Sequence, residues 1–557
     1  MKRCLNLVFM KKDIISILRI TLTSLGISPD QHIEIEIPRE QTFGDISTPV
    51  AMGMAKGLKK PPKNIAEEIV ASIKDKTIFE TIAVAGPGFI NFTFTKEYLY
   101  ASLQRICEQG KAVLRENIGN GMRVLVEYVS ANPTGPLHIG HARGAAVGNA
   151  LCNLLEESGF RVEREYYIND AGRQITLLGA SVHARYQQLL GITAEFPDEG
   201  YRGQYIDDEA AALLRQAQEK YKNLPFHECE HEITEWSYKR MLDLIKEDIS
   251  TFDIQNFSSW ISEKKLYENR AVSQAIQTLK HNGYIYEKDG AVWFRSSEFE
   301  DDKDRVVIKS DGEYTYFASD IAYHKAKLDR KFDIIIDIWG ADHHGYIPRI
   351  NSVMKAFGYD ISHFRIILVQ MVSLLKHGIP FQMSKRAGTF ITLSEVVNLV
   401  GADNAKFIFL TRKSDSHLEF DIDVISSQSA DNPVYYVQYA HARINSIFEH
   451  AHKKGIRVHD TSEHDLSLLS AKEELDLIKK LLVYPLILEG AARAFEPHRI
   501  TFYLQELARM FHSYYHKYKV ITDQKELSAA RLALCYATKI ILIDALSILG
   551  VTAPDKM

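Results

Sequence analysis

The sequence predicts a multidomain α/β protein. A Rossmann-like, doubly wound parallel sheet lies in the middle, with an α+β domain before it and an all-α bundle after it. Three observations carry this prediction. The chain has 557 residues, too many for one core and enough for three or four domains. Strand candidates separated by helical stretches recur through its middle, and "FDIIIDIW" (332–339) and "FRIILVQM" (364–371) are apolar and β-branched, like parallel strands buried on both faces. From Asn432 onward the texture becomes helical and aromatic, as in "NPVYYVQYAHARI" and "YLQELARMFHSYYHKYKVI".

Residues 1–117 combine amphipathic helical pattern with a turn-and-strand signal, "AGPGFINFTF" at 85–94. Within them, "GMAKGLKKPPKN" (53–64) reads as a basic loop, with Lys56, Lys59, Lys60 and Lys63 and no acid. It is either a solvated loop or a grip on a phosphate backbone. Asn64, with Glu67 three residues on, reads as a helix cap with a capping box. Residues 118–375 hold the sheet, starting with "RVLVEYV" (123–129) and "RVEREYYI" (161–168). Between these two, a helix after His141 carries Val147, Leu151, Leu154 and Leu155 on one face and stops at Gly159. A polar, helical insertion of about 180–300 interrupts the sheet, residues 376–431 form a loop-rich connector, and 432–557 form the bundle.

Composition narrows the function. Hydrophobic residues make up 46% and charged residues 25%, ordinary for a globular chain. The formal charge of −5 exerts no global pull on nucleic acid, so a polyanionic partner needs local basic patches. Five cysteines without a CxxC pair argue against a cysteine zinc site and a disulfide framework. No apolar run approaches the roughly 18 residues that span a bilayer. The opening "MKRCLNLVFMKKD" is too short in apolar residues for a signal peptide, so a cytoplasmic protein is expected, with Met10 a possible initiator.

One stretch carries chemistry: "ANPTGPLHIGH" (131–141), between a strand and a helix start. Helix N-termini bind anions through free N–H groups and the dipole. Gly135 and Gly140 permit close backbone approach, Pro133 and Pro136 stiffen the loop, and His138 and His141 can donate to phosphate oxygens. The rival reading is a metal site, built from this H-x-x-H pair and the "ADHH" at 341–344. A second basic loop, "KHGIPFQMSKRAGTF" (376–390), follows the last sheet strand and favours the phosphate cradle.

"HIGH" at 138–141 together with "MSKR" at 383–386 resembles the class I aminoacyl-tRNA synthetases. "VEYVSANPTGPLHIGHARGAAVGNAL", "YYINDAGRQI", "GYRGQYI", "YFASDIAYHKAKL", "WGADHHGYIPRI", "ILIDALSILGV" and "FGDISTPVAM" narrow the resemblance to the arginyl-tRNA synthetases, over essentially the whole chain. The resemblance implies ATP-dependent attachment of L-arginine to its cognate tRNA through an arginyl-adenylate, releasing pyrophosphate and AMP. ATP would be a substrate accompanied by Mg2+, with no tightly bound cofactor and no dedicated metal site. The partners would be tRNA for arginine, L-arginine and ATP, with no membrane, and the protein would act as a monomer. Alternatives are a synthetase for another amino acid, a nucleotidylyltransferase with a related loop, and an inactive RNA-binding relative. The long helical bundle speaks against the second, and the presence of His138, His141 and Lys385 against the third.

Under this resemblance His138, His141 and Lys385 are the catalytic residues, and Gly140, Gly340, Asp342, Met383 and Ser384 meet ATP. Asp342 would accept from the ribose, unless it caps a helix. A planar guanidinium calls for carboxylates; Glu127 and Asp320 are expected there, with Tyr316 packing on the substrate and Asn132 at its α-amino or carboxylate end. Lys56, Lys59, Lys60, Tyr439, Arg443 and Tyr515 are expected to meet tRNA, by phosphate contact or base stacking. At least half of the bundle's tyrosines are expected merely to pack between helices.

The chain departs from the class pattern where Gln382 stands in place of a lysine before Met383. Gln donates a hydrogen bond but cannot neutralise a polyphosphate. Lys385→Ala is therefore expected to abolish adenylate formation in single-turnover kinetics, while Gln382→Lys is tolerated. Lys376→Ala should cost about tenfold, or about 1.4 kcal/mol.

Overall fold

The computed structural model describes residues 10–28, 32–380, 391–429, 431–456 and 464–557. In the first domain, α1 (Met10–Ser24) buries Ile14, Leu18 and Leu22 on one face. β1 (Ile46–Thr48), α2 (Val50–Leu58), α3 (Pro62–Ser72), β2 (Phe79–Ala85) and β3 (Phe89–Phe94) follow, and the three strands form an antiparallel sheet in the order β1–β3–β2. Gly88 closes the β2–β3 turn at φ +134°, and a Cβ there would lie 2.8 Å from the Pro62 carbonyl carbon. Only glycine fits that position.

Two expectations fail here. The lysine-rich stretch is not a loop throughout: α2 runs through Lys56 to Leu58, and Lys59 ends it in the left-handed conformation at φ 52°. Asn64 is not a cap, because α3 already starts at Pro62 behind an extended Pro61. Proline lacks the N–H that a first helical turn leaves unbonded, and its fixed φ suits that turn. α4 (Lys96–Gln109) then begins at Thr95, whose hydroxyl accepts from the Tyr98 N–H at 3.3 Å. It docks on the C-terminal bundle, where the Tyr100 hydroxyl donates to the Leu469 carbonyl at 2.9 Å.

The central domain runs β4 (Arg123–Glu127), α5 (Ile139–Glu157), β5 (Arg161–Ile168), α6 (Arg173–Leu189), α7 (Gln204–Ala217), α8 (Phe226–Thr251), β6 (Ser259–Ser262), α9 (Glu263–Glu268) and α10 (Ala271–His281). A small antiparallel sheet follows, of β7 (Ile285–Lys288), β8 (Ala291–Phe294) and β9 (Arg305–Ile308). α11 (Tyr316–Asp329), β10 (Ile334–Gly340), α12 (Ile347–Ala356) and β11 (Phe364–Val369) complete it. The five main strands are parallel in the order β11–β10–β4–β5–β6. The chain leaves β4 in one direction and returns on its other side as β10. That reversal opens a crevice at the carboxyl ends of β4 and β10, where open α/β sheets bind ligands.

The expected insertion is not wholly outside the sheet. β6 returns from it to form the sheet edge, and its second half carries a three-stranded sheet of its own. "SWIS" is too short for periodicity to reveal. The connector is also richer in structure than a loop. It holds β12 (Val372–Lys376), β13 (Ile379–Pro380), α13 (Leu393–Val400), α14 (Ala402–Phe409), β14 (Leu418–Asp421) and α15 (Ile422–Ser426), with the strands ordered β13–β12–β14. Thr392 and Glu395 form the capping box that starts α13.

The bundle consists of α16 (Pro433–Lys453), α17 (Lys472–Leu482), α18 (Tyr484–Ala494), α19 (His498–Lys517) and α20 (Lys525–Ile548). Asn432 caps α16 by accepting from the Val434 N–H at 3.0 Å. Among the described residues no helix is long and apolar enough to cross a membrane.

α5 is buried nearly all round, not on one face alone. The sheet covers one side, and the bundle another, where the Asn153 amide donates to the Ile548 carbonyl at 3.1 Å. Gly148 is the point of closest approach to the sheet, since a Cβ there would sit 2.3 Å from the Tyr128 ring. Gly148→Ala is expected to destabilise the protein by about 1–3 kcal/mol through overpacking, despite alanine's better helix propensity. A lowered chemical-denaturation midpoint is the measurement.

Candidate active site

The "HIGH" loop forms the N-terminus of α5, facing the crevice. His138 is the N-cap, and its Nδ1 accepts from the Gly140 N–H at 3.1 Å. The His141 Nδ1 accepts in turn from the His138 N–H at 3.3 Å. The two rings stack with centroids 3.7 Å apart. A neutral imidazole that accepts at Nδ1 carries its proton on Nε2, so each ring has its remaining donor fixed. Gly140 keeps its place under the His138 ring, because a Cβ there would lie 3.0 Å from Cε1. The first turn thus offers an anion both oriented imidazoles and the helix dipole.

The loop is held from outside. The Tyr205 hydroxyl donates to the Thr134 carbonyl at 2.9 Å, and the Asn132 amide donates to Gln174 at 2.8 Å. Leu137 donates its N–H to Asp248 of α8 at 2.9 Å and accepts from the Leu393 N–H at 2.7 Å. Gln382, Met383, Ser384, Lys385 and Arg386 lie outside the described residues. Lys376 ends β12, exposed and paired in register with Ile379.

Below the crevice lies a buried charge network that sequence reading missed. Glu127, at the end of β4, is only 5% exposed. Its carboxylate accepts from the Tyr323 hydroxyl at 2.9 Å, from the Ser130 hydroxyl at 2.8 Å and from the Lys327 ammonium. Lys327, fully buried on α11, also donates to Asp337 of β10 at 2.6 Å. The His324 Nε2 is 3.1 Å from the other Asp337 oxygen. Glu165 of β5 lies 2.8 Å from the Tyr323 hydroxyl oxygen, whose single proton it shares with Glu127, and accepts from Arg330.

Burial works against the Lys327 charge, but Asp337 and Glu127 outweigh it and hold the ammonium above its usual range. Burial likewise opposes the Asp337 charge, and Lys327 and His324 overcome it, leaving that carboxyl low. Glu127 goes the other way: burial and the Asp337 charge push it up against the pull of Lys327. Nothing in the pattern "YHKAKL" marks Lys327, since lysines on helices usually face water.

Asp320 sits one turn into α11 and accepts from the Tyr346 hydroxyl. Burial pushes its carboxyl up, with Tyr346 and His324 opposing. Glu263, at the start of α9, is a second carboxyl that sequence reading did not single out. It is 3% exposed, and burial pushes it up, assisted by the Asp320 charge. Among the described residues neither makes an ion pair with Lys or Arg, so half-buried Asp320 raises the carboxyl of buried Glu263 with no cation bonded to either. Tyr316, the first residue of α11, is 70% exposed, and its hydroxyl approaches Gly172 in the β5–α6 loop (3.9 Å from the position of a Cβ there). Asn132 is exposed on the same rim.

At the end of β10, Gly340 is the residue before a short 3-10 turn, and Asp342 lies inside that turn, exposed, not at its cap. A Cβ on Gly340 would fall 2.4 Å from an Asp342 oxygen, so the glycine lets that side chain fold back. His343 is 3.7 Å from the Asp342 carboxylate. Far from the crevice, Lys56, Lys59 and Lys60 are exposed at the α2–α3 corner, with Lys60 paired to Glu68 at 2.8 Å. In the bundle, the Arg443 guanidinium lies between the Tyr439 and Tyr515 rings, 4.7 and 4.8 Å from their centroids. A cavity of about 600 Å3 opens beside them, lined also by His450, His512, His516 and Lys519. Tyr514 and His441 are buried packing residues.

A doubly wound sheet with a histidine-capped helix at its switch point, followed by a helical bundle, defines a class I aminoacyl-tRNA synthetase. The family described as "tRNA synthetases class I (R), catalytic domain" matches residues 102–447. The "Arginyl tRNA synthetase N terminal domain" matches 12–94, and the "DALR anticodon binding domain" matches 437–557. The chain belongs to the arginyl-tRNA synthetase family. It is 48% identical over 527 residues to an arginine–tRNA ligase of Syntrophotalea carbinolica, covering 94% of this chain and 95% of that one. It is 45% identical over 563 residues to an arginine–tRNA ligase of Bacillus licheniformis, covering 99% and 100%. Its fold matches that of the Thermus thermophilus arginyl-tRNA synthetase with a TM-score of 0.78 at 21% identity, covering 99% of this chain and 100% of that one.

Lys327→Met is expected to destabilise the protein by about 3–5 kcal/mol at pH 7, because Glu127 and Asp337 are left buried without their cation. Asp337 and Glu165 are held below their usual range in the wild type, so the stability they contribute is present above about pH 4 and lost as the pH falls through their folded values. In the variant the stranded carboxyls protonate more readily. Chemical denaturation should therefore show the deficit narrowing as pH falls from 7 toward 4.

Proposed function

We propose that the crevice between β4 and β10 is where this chain, an arginine–tRNA ligase, binds ATP and L-arginine and charges its tRNA. The observation that carries the reading is a pair of carboxyls, Asp320 and Glu263, that burial pushes up and that form no Lys or Arg ion pair among the described residues. They belong to a domain whose β4 leads into the histidine-capped N-terminus of α5. A guanidinium supplies the missing charge, and its planar fork suits two carboxylate partners. Glu127, already engaged by Lys327 and Tyr323, shapes the floor of the pocket. Tyr316 packs on the substrate, and Asn132 meets its α-amino or carboxylate end.

The chemistry has two steps. The arginine carboxylate oxygen attacks the α-phosphorus of ATP, the bond to the bridging oxygen breaks, and pyrophosphate leaves. A ribose hydroxyl at the tRNA 3′ end then attacks the arginyl carbonyl, and AMP leaves. In the first step, His138 and His141 donate through Nε2 to phosphate oxygens whose charge grows in the transition state. Lys385, with Met383 and Ser384, serves the departing pyrophosphate, and Gly140, Gly340 and Asp342 line the nucleotide. Mg2+ accompanies ATP, held through phosphate oxygens and water. The described residues bring together no group of three or more His, Cys, Asp or Glu side chains able to hold a metal ion.

The tRNA meets Lys56, Lys59 and Lys60 through its backbone, and Tyr439, Arg443 and Tyr515 through bases and phosphates at the bundle cavity. A monomer working in the cytoplasm belongs to the same reading. Arginine-dependent ATP–pyrophosphate exchange, measured across amino acids with and without tRNA, is the test. Exchange driven by another amino acid would refute the assignment.

Asp320→Asn is expected to raise the Michaelis constant for arginine far more than that for ATP, by the equivalent of about 2–5 kcal/mol for losing one partner of a desolvated charge. An effect confined to ATP would place Asp320 in the wrong pocket.

A further inference from the structure

Asp248 lies on α8, outside the crevice, and is 5% exposed. Among the described residues it makes no ion pair. Its two oxygens instead each take one hydrogen bond from a different element. One accepts from the Leu137 N–H at 2.9 Å, in the residue before the His138 cap. The other accepts from the Ser394 hydroxyl at 2.6 Å, in the first turn of α13. Leu137 and Leu393 are joined directly at 2.7 Å, and His138 and Thr392 form an isolated antiparallel bridge.

Both backbone groups of Leu137 are thus committed, one to Asp248 and one to Leu393. A second side chain secures the same frame from below. Arg143, fully buried one turn into α5, donates to the carbonyls of Gln370 at 2.9 Å, Ser416 at 2.8 Å and Lys413 at 3.0 Å. These residues precede β12 and β14, so one turn of α5 anchors the two strands between which α13 lies in the chain.

A carboxylate is an odd choice for this place. It is desolvated, has no cationic partner, and stands one residue from a cap built to receive a polyanion, where a negative charge repels the ligand. A purely structural tie between α8 and the loop would be made more cheaply by a neutral acceptor. What a carboxylate offers here is two oxygens in a fixed plane, which set the spacing of two donors from separate elements at once.

We propose that Asp248 is a positioning residue for the adenylation step, which holds the phosphate-binding turn Leu137–Gly140 in register with the start of α13. The proposal rests on the reading of this turn as the ATP-phosphate site. Its consequence is a defect selective for ATP: misplacing the His138 and His141 donors slows attack on the α-phosphorus, while the arginine carboxyls on α9 and α11 are untouched.

The test compares Asp248→Ala, Asp248→Asn and Ser394→Ala in tRNA-supported, arginine-dependent pyrophosphate exchange on the full chain. Asp248→Asn keeps one oxygen for Leu137 and gains an N–H that the Ser394 oxygen can accept, so it should stay within about twofold of wild type. Asp248→Ala should lose about tenfold or more in kcat/KM for ATP, the scale of a misplaced reacting group, with the arginine KM unchanged. Ser394→Ala should lose less, in the same direction, and serves as the decisive variant if Asp248→Ala does not fold. Wild-type ATP kinetics in Asp248→Ala, or in Ser394→Ala where it alone folds, would overturn the proposal. So would an Asn variant as impaired as the Ala one, or a rise in the arginine KM as large as the loss in kcat/KM for ATP. Absence of arginine-dependent exchange in the wild type would instead sink the functional reading itself.

Discussion

A lysine with no exposed surface governs the switch point of the central sheet. Lys327 reaches from α11 between the adjacent strands β4 and β10 and binds a carboxylate on each. Three buried acids, Glu127, Glu165 and Asp337, would repel one another at the point where the strand order reverses. Lys327 and Arg330, with His324 beside Asp337, make their burial tolerable. Such a network is weak evidence for stability in itself, since apolar residues could pack the same volume. Its effect is positional. With α11 tied to both strands, Asp320 and Tyr316 on that helix are set at fixed places over the carboxyl ends of the sheet.

α5 fills a complementary role on the other side of the crevice. Its first turn is capped by His138 and its body is buried on nearly every side, so its N-terminus has little freedom relative to β4. Gly148 lets it approach the Tyr128 ring, and Arg143 fastens the β12 and β14 frame to it. One side of the crevice is therefore organised for negative charge and the other for positive. Under the proposed function, that arrangement suits a site that must hold a polyphosphate and a guanidinium at once.

Much of this was legible in advance. The long strands, the loop between β4 and α5, and the turn to helix at Asn432 announce themselves through apolar runs, small residues and a helical, aromatic texture. Glu127, Asn132, Tyr316 and Asp320 all come together around one crevice, although they are spread over about 190 positions of sequence. Short-range signals misled where two of them competed. Asn64 looked like a cap, but Pro62 had already begun the helix. "SWIS" is too short for periodicity, and the lysine-rich stretch has the composition of a loop although α2 runs into it.

The sequence by itself determined the fold class and the family, because these depend on periodicity and on local motifs within single segments. Tertiary structure alone decided which carboxyls are paired with a lysine or arginine. Glu127 and Asp320 look alike as letters, yet Lys327 neutralises the first, and Glu263 joins the second from a helix nearly 60 residues away. Whether a charge is matched depends on the three-dimensional neighbours that replace its water, and no local pattern in the chain encodes them.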